Sequence, residues 1–540
     1  MTLINNKIGT SIKFLFILIT FLFASSCTDL DEEVYTGIEA EDFKPTEDDL
    51  DRLMVPVYRP INSLLLNWNS HREMMMESAD ITVVPVRPRG WFYDGGIFHR
   101  MHRHRWTGTD PHHNSIWGHS WRIINSANRL KHQIEIDEIT LEEELKHDVL
   151  AELKAVRAWT YYILLDSHGN IPISTDFDEP EPPEQYSRED AFDFIVQELY
   201  DVIPDLGTEV SDRTYGSFTR WAAHATLAKL YLNAEVYTGN SHWEKVIEHC
   251  DEILESGNYS FAHDYKEPFV TDNHLSDEII FSAVNDEFET AWQFMYHMKS
   301  HHPDYRYVGN WENSPYGGVS GTPQFIDTYD PDDQRLEDSW VIGPQYHHET
   351  GELVLTYYKH VPSLGGAFGP DATNECGYKP GKYEVKEGAK GGLSNDFVIY
   401  RYTDVLMMKA EALLRNGNAE AAAEIATRVR ERAFKDNPEK ATVTGAELQQ
   451  GSTYEYGLQD EDGEIINPEG GDDIQYGRFL DELGWEFALE GRRRQDLIRF
   501  GVFHTKSWFN HEPTSIEKTI FPIPHTAIET NPNLEQNPGY

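Results

Sequence analysis

The segment from Arg87 to Gly96 has the residue types and spacing that most clearly predict binding chemistry. It sets three aromatic rings side by side, Trp91, Phe92 and Tyr93, in a loop that also contains glycine, proline, aspartate and arginine. A sugar presents an apolar C–H face and a hydroxylated edge, which proteins hold with a flat ring plus carboxylate, amide or guanidinium groups. The alternative is that one or two of the rings only anchor the loop to the core. The candidate ligand residues here are Arg89, Trp91, Tyr93 and Asp94.

A second aromatic group lies between residues 292 and 316, within a stretch of about 140 residues that is rich in Gly, Pro, Tyr, Trp and Asp. Long irregular segments inside a compact protein are usually functional or disordered, and the aromatic content argues against disorder. The group consists of Trp292, Tyr296, Tyr305, Tyr307, Trp311 and Tyr316.

Three carboxylates near the C-terminus, Glu482, Glu486 and Glu490, follow a helical i, i+4 spacing, with Arg492, Arg493 and Arg494 just beyond them. A glycosidase pair needs two carboxyl groups roughly 5–10 Å apart that flank one bond, usually from different elements of a cleft. Three carboxylates on one helical face beside arginines instead predict an ion-pair network that locks the last helix. No catalytic residue is therefore expected.

Six histidines lie between His99 and His119, and their close spacing raises the possibility of a zinc site. A zinc site, however, needs converging ligands with a supporting second layer, and the interleaved arginines disfavour a dication. The acidic turns at 330–333 and 460–463 do not fit the twelve-residue calcium loop with its terminal Glu. The sequence predicts neither a metal nor another cofactor.

Helical periodicity dominates outside these loops. Apolar residues recur at helical spacing from Leu150 to Ile163, and further helical patterns run from Arg188 to about Ile203, from Phe218 to Val236 and from Trp243 to Leu254. The chain is therefore predicted to be mostly α-helical.

Two later helices, Asp404–Leu414 and Ala419–Ala433, are joined by a short linker in which Gly417 is predicted to supply a left-handed C-cap. Small alanines on their facing sides allow close approach. Paired helices of this kind are typical of tetratricopeptide-type hairpins, here irregularly spaced.

The N-terminus has the features of a lipoprotein signal. A basic start precedes an apolar stretch, Phe14–Phe23, and small residues, Ala24–Ser26, stand directly before Cys27. Ten residues rise only about 15 Å as a helix, half of a bilayer core, so this stretch is not a membrane span. The predictions are a signal peptide over residues 1–26, lipidation of Cys27, and an acidic tether within residues 27–45.

The net charge excludes one class of partner. With 46 basic and 92 acidic residues, the formal charge is −46. Nucleic-acid phosphates and anionic lipid headgroups would repel such a chain, so we expect no nucleic acid partner. The lipid on Cys27, and not a basic patch, would hold the protein at a membrane.

Four further segments resemble the SusD/RagB family of outer-membrane nutrient-capture lipoproteins. Together with Cys27 and its acidic continuation, the similarity spans most of the mature chain. The segments are Leu153–Tyr162 with Gly169–Pro172, Tyr400–Ala412, Glu482–Gly501, and Phe521–Pro524 with Asn531–Tyr540.

This resemblance implies an α-helical SusD-like fold in which tetratricopeptide-like helical hairpins form the scaffold and long irregular loops form the ligand face. The corresponding divisions are an N-terminal SusD-like region, 46–260, and a C-terminal RagB/SusD-like region, 261–540. It also implies a partner, a SusC-like TonB-dependent outer-membrane barrel over which such proteins sit as a hinged lid. Family members draw ligand residues from both loop regions, which adds these candidates: Trp292, Tyr307, Asn310 and Trp311.

The function favoured by the sequence is a non-catalytic, cell-surface glycan-binding lipoprotein of the outer membrane. It would capture oligosaccharide or polysaccharide and deliver it to the barrel. The arginines of the first loop weakly favour an anionic sugar. Two alternatives remain: peptide capture for the same type of transporter, and, less favoured, a lipid-anchored glycoside hydrolase.

Overall fold

The structure, a computed structural model, describes residues 47–286, 293–362, 364, 373–459 and 463–540. The predicted signal peptide, Cys27 and the acidic tether therefore lie outside the described residues. Helices of the first half provide the longest elements. They are α1 (Glu47–Leu66), α2 (His71–Glu77), α3 (Ile97–His102), α4 (Pro111–Glu135), α5 (Glu143–His168), α6 (Arg188–Val202), α7 (Arg220–Leu232), α8 (Ala234–Thr238) and α9 (Trp243–Ser256).

Helices of the second half are shorter and are separated by long irregular segments. They are α10 (Tyr296–Ser300), α11 (Arg306–Gly309), α12 (Pro323–Ile326), α13 (Arg335–Ser339), α14 (Tyr402–Arg415), α15 (Ala419–Glu431), α16 (Gly445–Leu448), α17 (Gly477–Glu486), α18 (Arg493–Arg499) and α19 (His525–Thr530). The mostly α-helical fold class is thus confirmed.

The described strands are short and pair two by two, always antiparallel. The pairs are β1 with β5, β2 with β3, β4 with β10, β6 with β9, β7 with β8, and β11 with β12. Their bounds are β1 (Thr82–Val83), β2 (Ile171–Pro172), β3 (Gln185–Tyr186), β4 (Ile279–Ala283), β5 (Ser320–Gly321), β6 (Trp340–Val341), β7 (Gly343–Tyr346), β8 (Leu353–Tyr357), β9 (Lys379–Pro380), β10 (Phe397–Arg401), β11 (Gly457–Gln459) and β12 (Ile465–Pro468).

Local sequence explains where the long helices start and stop. The α6 helix is capped by Ser187, whose hydroxyl accepts from the Asp190 N–H, and it ends just before Pro204. Between α14 and α15, Gly417 has a φ of 83°, which confirms the predicted left-handed residue. The prediction of one helix from Phe218 to Val236 is wrong, because it breaks at Asn233 into α7 and α8.

The break has a physical cause. The amide of Asn233 donates to the Lys229 carbonyl at 2.9 Å and accepts from Arg499 at 3.0 Å. An Asn side chain that bonds to the backbone in this way competes with continued helical hydrogen bonding.

One hydrophobic core runs from α1 to the C-terminal segment, and helices α1, α4, α5 and α6 pack in sequence beside α7, α9, α14 and α15. The Phe281 ring of β4 lies between Trp159 of α5, at 5.7 Å, and Phe218, at 5.2 Å. Residues on both sides of the predicted division at 260/261 thus share this core, and the division itself stays a prediction. Among the described residues, no helix is both long and apolar enough to cross a membrane.

The C-terminal segment lies across the end of α5 as a strap. Its Phe521 N–H donates to the Ser167 carbonyl at 2.7 Å, and the Asn537 amide donates to the His168 carbonyl at 2.6 Å. Phe521 is fully buried. This proline-rich end therefore has a structural role.

Candidate functional site

The loop that follows β1 presents alternate rings to solvent. Trp91 and Tyr93 are exposed to 52% and 46%, whereas Phe92 between them turns inward and stacks on Phe98 at 5.3 Å. The backbone makes this possible with left-handed conformations at Phe92 (φ 56°) and Asp94 (φ 45°). Such conformations are unfavourable for a bulky residue and are typical of functional loops.

Arg87 anchors this loop from below. The guanidinium is buried and donates to the carbonyls of Gly318, at 2.6 Å, and Cys376, at 2.9 Å, and to the Ser320 hydroxyl at 2.7 Å. Burial lowers the pKa of Arg87 to about 10. Arg87 therefore fixes the loop through backbone carbonyls and one hydroxyl, and it is not a ligand group. For Arg89, the structure describes the backbone within a 3₁₀ turn, Pro88–Gly90, and its proposed ligand role stays a prediction.

The two aromatic segments predicted from the sequence meet at this loop. The indole N–H of Trp91 donates to the carbonyl of Tyr316, which fixes the orientation of an otherwise exposed ring. A methyl group on Gly318 would lie 2.3 Å from the Phe92 ring, so only glycine permits this close approach. The exposed Trp91 ring is therefore held rigidly between the segments, as a binding platform requires.

Tyr307 and Asn310 lie on the surface of the second segment. Tyr307 is 43% exposed, with the Arg306 guanidinium 4.6 Å from its ring and the His347 ring nearly parallel at 6.1 Å. Asn310 adopts a left-handed conformation (φ 51°) and donates to the Glu387 carboxylate at 3.1 Å. Both are accessible candidates, although part of the Tyr307 ring is already covered.

Trp311, predicted to contact ligand, is instead buried. It is only 6% exposed, with the rings of Tyr305, His297 and His301 at 4.9, 5.1 and 5.3 Å. No face is left for a ligand, so Trp311 anchors its segment to the core. Trp292 lies outside the described residues.

The C-terminal carboxylates form the predicted ion-pair network. Glu482 and Glu486 are fully buried, and the Glu490 side chain is 6% exposed. Glu486 accepts from Arg432 at 2.6 Å, from Arg401 at 3.1 Å and from Arg335 at 3.3 Å. Glu482 also pairs with Arg335, at 2.7 Å.

Glu490 lies beyond the end of α17 and pairs with Arg401 at 2.9 Å. The three adjacent arginines bind elsewhere, Arg492 to Asp404, Arg493 to Asp80 and Arg494 to Asp166. The network was predicted, but its partners come from distant helices and strands. Carboxylates held in this way offer no acid–base pair to a polysaccharide.

The histidines between 99 and 119 are mostly structural. His104 contacts the Ser78 carbonyl at 2.8 Å and His112 contacts the Glu73 carboxylate at 3.0 Å. Burial lowers the pKa of His102 to about 4, which keeps its ring neutral. Within the described ranges, no group of three or more His, Cys, Asp or Glu side chains is placed to hold a metal ion.

Two family models match this chain in succession. Residues 277–540 match the one described as SusD family, and residues 57–232 match the one described as starch-binding associating with outer membrane. The chain belongs to the SusD-like family.

Relatives of this SusD-like chain are distant in sequence but extensive in coverage. The starch-binding protein SusD of Bacteroides thetaiotaomicron is 24% identical over 439 residues, 72% of each chain. A SusD-like protein of Formosa agariphila is 21% identical over 575 aligned positions that cover 99% of this chain and 100% of that one. The structure of surface glycan-binding protein A from Bacteroides uniformis superposes with a TM-score of 0.67 at 17% identity, covering 91% of this chain and 99% of that one.

Sequence reasoning missed one aromatic residue that lies beside both aromatic segments. Trp68, just after α1, is half-buried and lies 6.0 Å from Tyr316 and 6.1 Å from Phe92, with the Lys299 ammonium 4.4 Å from its ring. Its flanking asparagines, Asn67 and Asn69, were the available signal, since a tryptophan between two amides is typical of an exposed turn.

A buried acid at the end of α2, Glu77, gives a prediction about how stability depends on pH. Burial, together with nearby Glu73, raises the pKa of Glu77 to about 8. Folded Glu77 therefore stays protonated where the unfolded side chain is ionised, so its contribution to stability is lost as pH rises from about 4.5 to about 8.

Replacing Glu77 by the isosteric glutamine removes this titration. In urea unfolding, we expect the difference in unfolding free energy, Glu77→Gln minus wild type, to rise by about 3–4 kcal/mol between pH 5 and pH 8. Glu252→Gln, on the exposed surface of α9, is the matched control and should show no such change. Equal differences at both pH values would contradict the assignment.

Proposed function

We propose that this SusD-like protein is a non-catalytic glycan-capture lipoprotein of the outer membrane, facing the cell exterior. The observation that carries the proposal is the Trp91 platform, an exposed indole fixed by its own N–H to a second aromatic segment. Tyr93 extends the apolar surface, and Asp94 supplies hydroxyl-binding oxygens at its edge. Tyr307 and Asn310, exposed on the second aromatic segment, are further candidates for ligand contact. Arg89 and Trp292 stay candidates, whereas Trp311 is withdrawn.

Three findings support this function. One matching family model is described as starch-binding associating with outer membrane, and the SusD relative is named a starch-binding protein. A structural neighbour is named a surface glycan-binding protein. The three carboxylates that might have formed a hydrolase pair are instead buried with arginines, which favours binding over catalysis.

Delivery to a SusC-like TonB-dependent barrel is the partner part of the proposal, and it follows from the family resemblance. The glycan would be held on the Trp91 face until the barrel accepts it.

The test is titration of the full-length chain, extracted in detergent, with a defined panel of sugars. The panel contains malto-, laminari- and xylo-oligosaccharides, hexagalacturonate and the corresponding polymers, with a tripeptide mixture as the competing class. We expect binding of at least one glycan, without release of shorter products. Preference for hexagalacturonate would assign Arg89 a direct role, preference for peptides would establish the alternative cargo, and turnover would establish an enzyme.

Lipidation gives a separate prediction. Cys27→Ala should leave the glycan affinity of the purified protein unchanged and abolish its retention at the cell surface, because the −46 charge provides no other attachment to anionic membranes. Surface immunolabelling and growth on the cognate polysaccharide measure the effect. Ser26→Ala, which keeps both the cysteine and a small residue before it, is the control. Normal surface labelling of Cys27→Ala cells would contradict the lipid anchor.

A further inference from the structure

A second aromatic groove of about 340 Å³ lies between α4, the loop at 172–183 and the C-terminal segment from α19 onward. Its volume falls within the range of roughly 300–1,000 Å³ that is typical of small-molecule sites. Trp117 and Trp121 of α4 form one wall, Phe177 of the loop another, and Asn531 part of a third. The groove shares no lining residue with the Trp91 face.

The aromatic side of this groove is partly open to solvent. Phe177 is 46% exposed, although it is a large apolar ring, and the Arg129 guanidinium and His132 ring lie 6.0 and 6.1 Å from it. The Trp117 and Trp121 rings lie 6.4 Å apart at an angle of 47°. Trp117 is buried and Trp121 is half-buried, so the exposed ring of the groove is Phe177, with the edge of Trp121 beside it.

The groove is also rigid. The Tyr161 hydroxyl donates to the Ser174 carbonyl and accepts from the Ser174 N–H, both at 2.8 Å, and Asn128 donates to the same carbonyl at 3.1 Å. On the third wall, the Asn531 amide donates to the Pro183 carbonyl at 3.0 Å. The loop and the strap are therefore fixed before any ligand arrives, which reduces the entropic cost of binding.

The polar groups of the groove are mainly hydrogen-bond acceptors. Glu179 and Glu181 line it with exposed carboxylates, Asp176 adds a carboxylate that pairs with Lys131 at 3.7 Å, and Asn125 adds an exposed amide. The indole N–H of Trp121 is buried without an acceptor among the described residues, which leaves one donor unsatisfied at this wall. Sugar hydroxyls both donate to carboxylates and accept from an N–H, so they match this set.

We propose that this groove binds a neutral oligosaccharide as a second glycan contact, a proposal that takes its ligand class from the proposed function. The acidic rim repels uronate and sulfate groups, so the sugar is neutral even if the Trp91 face takes an anionic one. A proline-rich peptide also suits aromatic grooves, but its backbone has few donors for three carboxylates. Two contacts on one polysaccharide would raise its apparent affinity by effective concentration.

The test uses the paired substitution Phe177→Ala and Asn125→Ala, two exposed residues whose loss leaves the core intact. Ile136→Ala, also exposed but outside the groove, is the control. In titration of the full-length chain with soluble starch, laminarin and xylan, we expect the pair to lower affinity for at least one polymer by 3- to 10-fold relative to the control. In a Trp91→Ala background, the pair should remove the remaining polymer binding.

If the double variant binds all three polymers with the affinity of the control, the proposal that the groove binds glycan is wrong. It is also wrong if the wild-type protein binds decaproline and the double variant does not. The proposed function is judged separately. If Trp91→Ala binds every sugar as wild type does, the proposal that Trp91 binds glycan is wrong. The comparison of the Phe177 and Asn125 double variant with its control still tests whether the groove binds glycan.

Discussion

Trp91→Ala is expected to lower the affinity for the cognate oligosaccharide by about 10- to 100-fold while leaving the unfolding midpoint unchanged. A central tryptophan in an interface typically contributes 2 kcal/mol or more, and each 1.4 kcal/mol is a factor of ten in affinity. The ring is about half exposed, and its one polar contact with a described residue is with the Tyr316 carbonyl, so little core packing is lost. Isothermal titration measures the affinity and thermal unfolding the stability.

Two control variants separate stacking from positioning. Trp91→Phe keeps an aromatic face but loses the N–H that fixes the ring to Tyr316, and we expect an intermediate loss of affinity. Tyr186→Ala removes another exposed ring, on β3, and should bind as wild type does. Undiminished binding by Trp91→Ala would contradict the assigned platform, and a loss of the same size in Tyr186→Ala would show that the effect is nonspecific.

The contrast between Trp91 and Trp311 shows what the sequence was able to predict about the site. Both tryptophans lie in aromatic, glycine-rich segments that the family resemblance assigned to the ligand face. Only the fold distinguishes the two, because Trp311 is covered by His297 and His301, whereas the Trp91 ring is 52% exposed. Such coverage depends on long-range packing and leaves no trace in local spacing.

Arg87 illustrates the same limit for charged groups. Its acceptors are the carbonyls of Gly318 and Cys376, more than 200 positions away in the chain. Backbone carbonyls exist at every residue, so no side-chain pattern identifies them as partners. The helices were easier to predict, because α6 is determined by nearby residues, the cap at Ser187 and the stop at Pro204.

The sequence predicted that the C-terminal carboxylates form ion pairs, but it did not predict which arginines they pair with. The i, i+4 spacing placed Glu482 and Glu486 on one face of α17, as predicted. Their arginines come from α13, α15 and positions next to α14 and α15, which converge only in the folded chain. The energetic weight of the network should therefore depend on its most connected member, Glu486.

Glu486→Gln is expected to lower the free energy of unfolding by about 3–5 kcal/mol, the usual result of removing one member of a buried ion pair. Glutamine keeps the size of the side chain but removes the negative charge that faces Arg335, Arg401 and Arg432. Its amide N–H₂ would also point a donor at guanidinium donors, which leaves buried hydrogen-bonding groups unsatisfied. Urea unfolding, or the midpoint shift if intermediates appear, measures the loss.

Glu248→Gln provides the matched control, since it removes the same charge from a solvent-exposed pair with Lys245 at 2.7 Å. Exposed pairs contribute about 0–1 kcal/mol because water screens both charges. A Glu486→Gln loss no larger than that of the control would mean that the neighbouring carboxylates Glu278 and Glu490 compensate the three arginines. In that case Glu278 would be the carboxylate that contributes most to the stability of the network. Its pKa is lowered to about 2, because the charges of Arg432 and Arg401 outweigh the effect of burial.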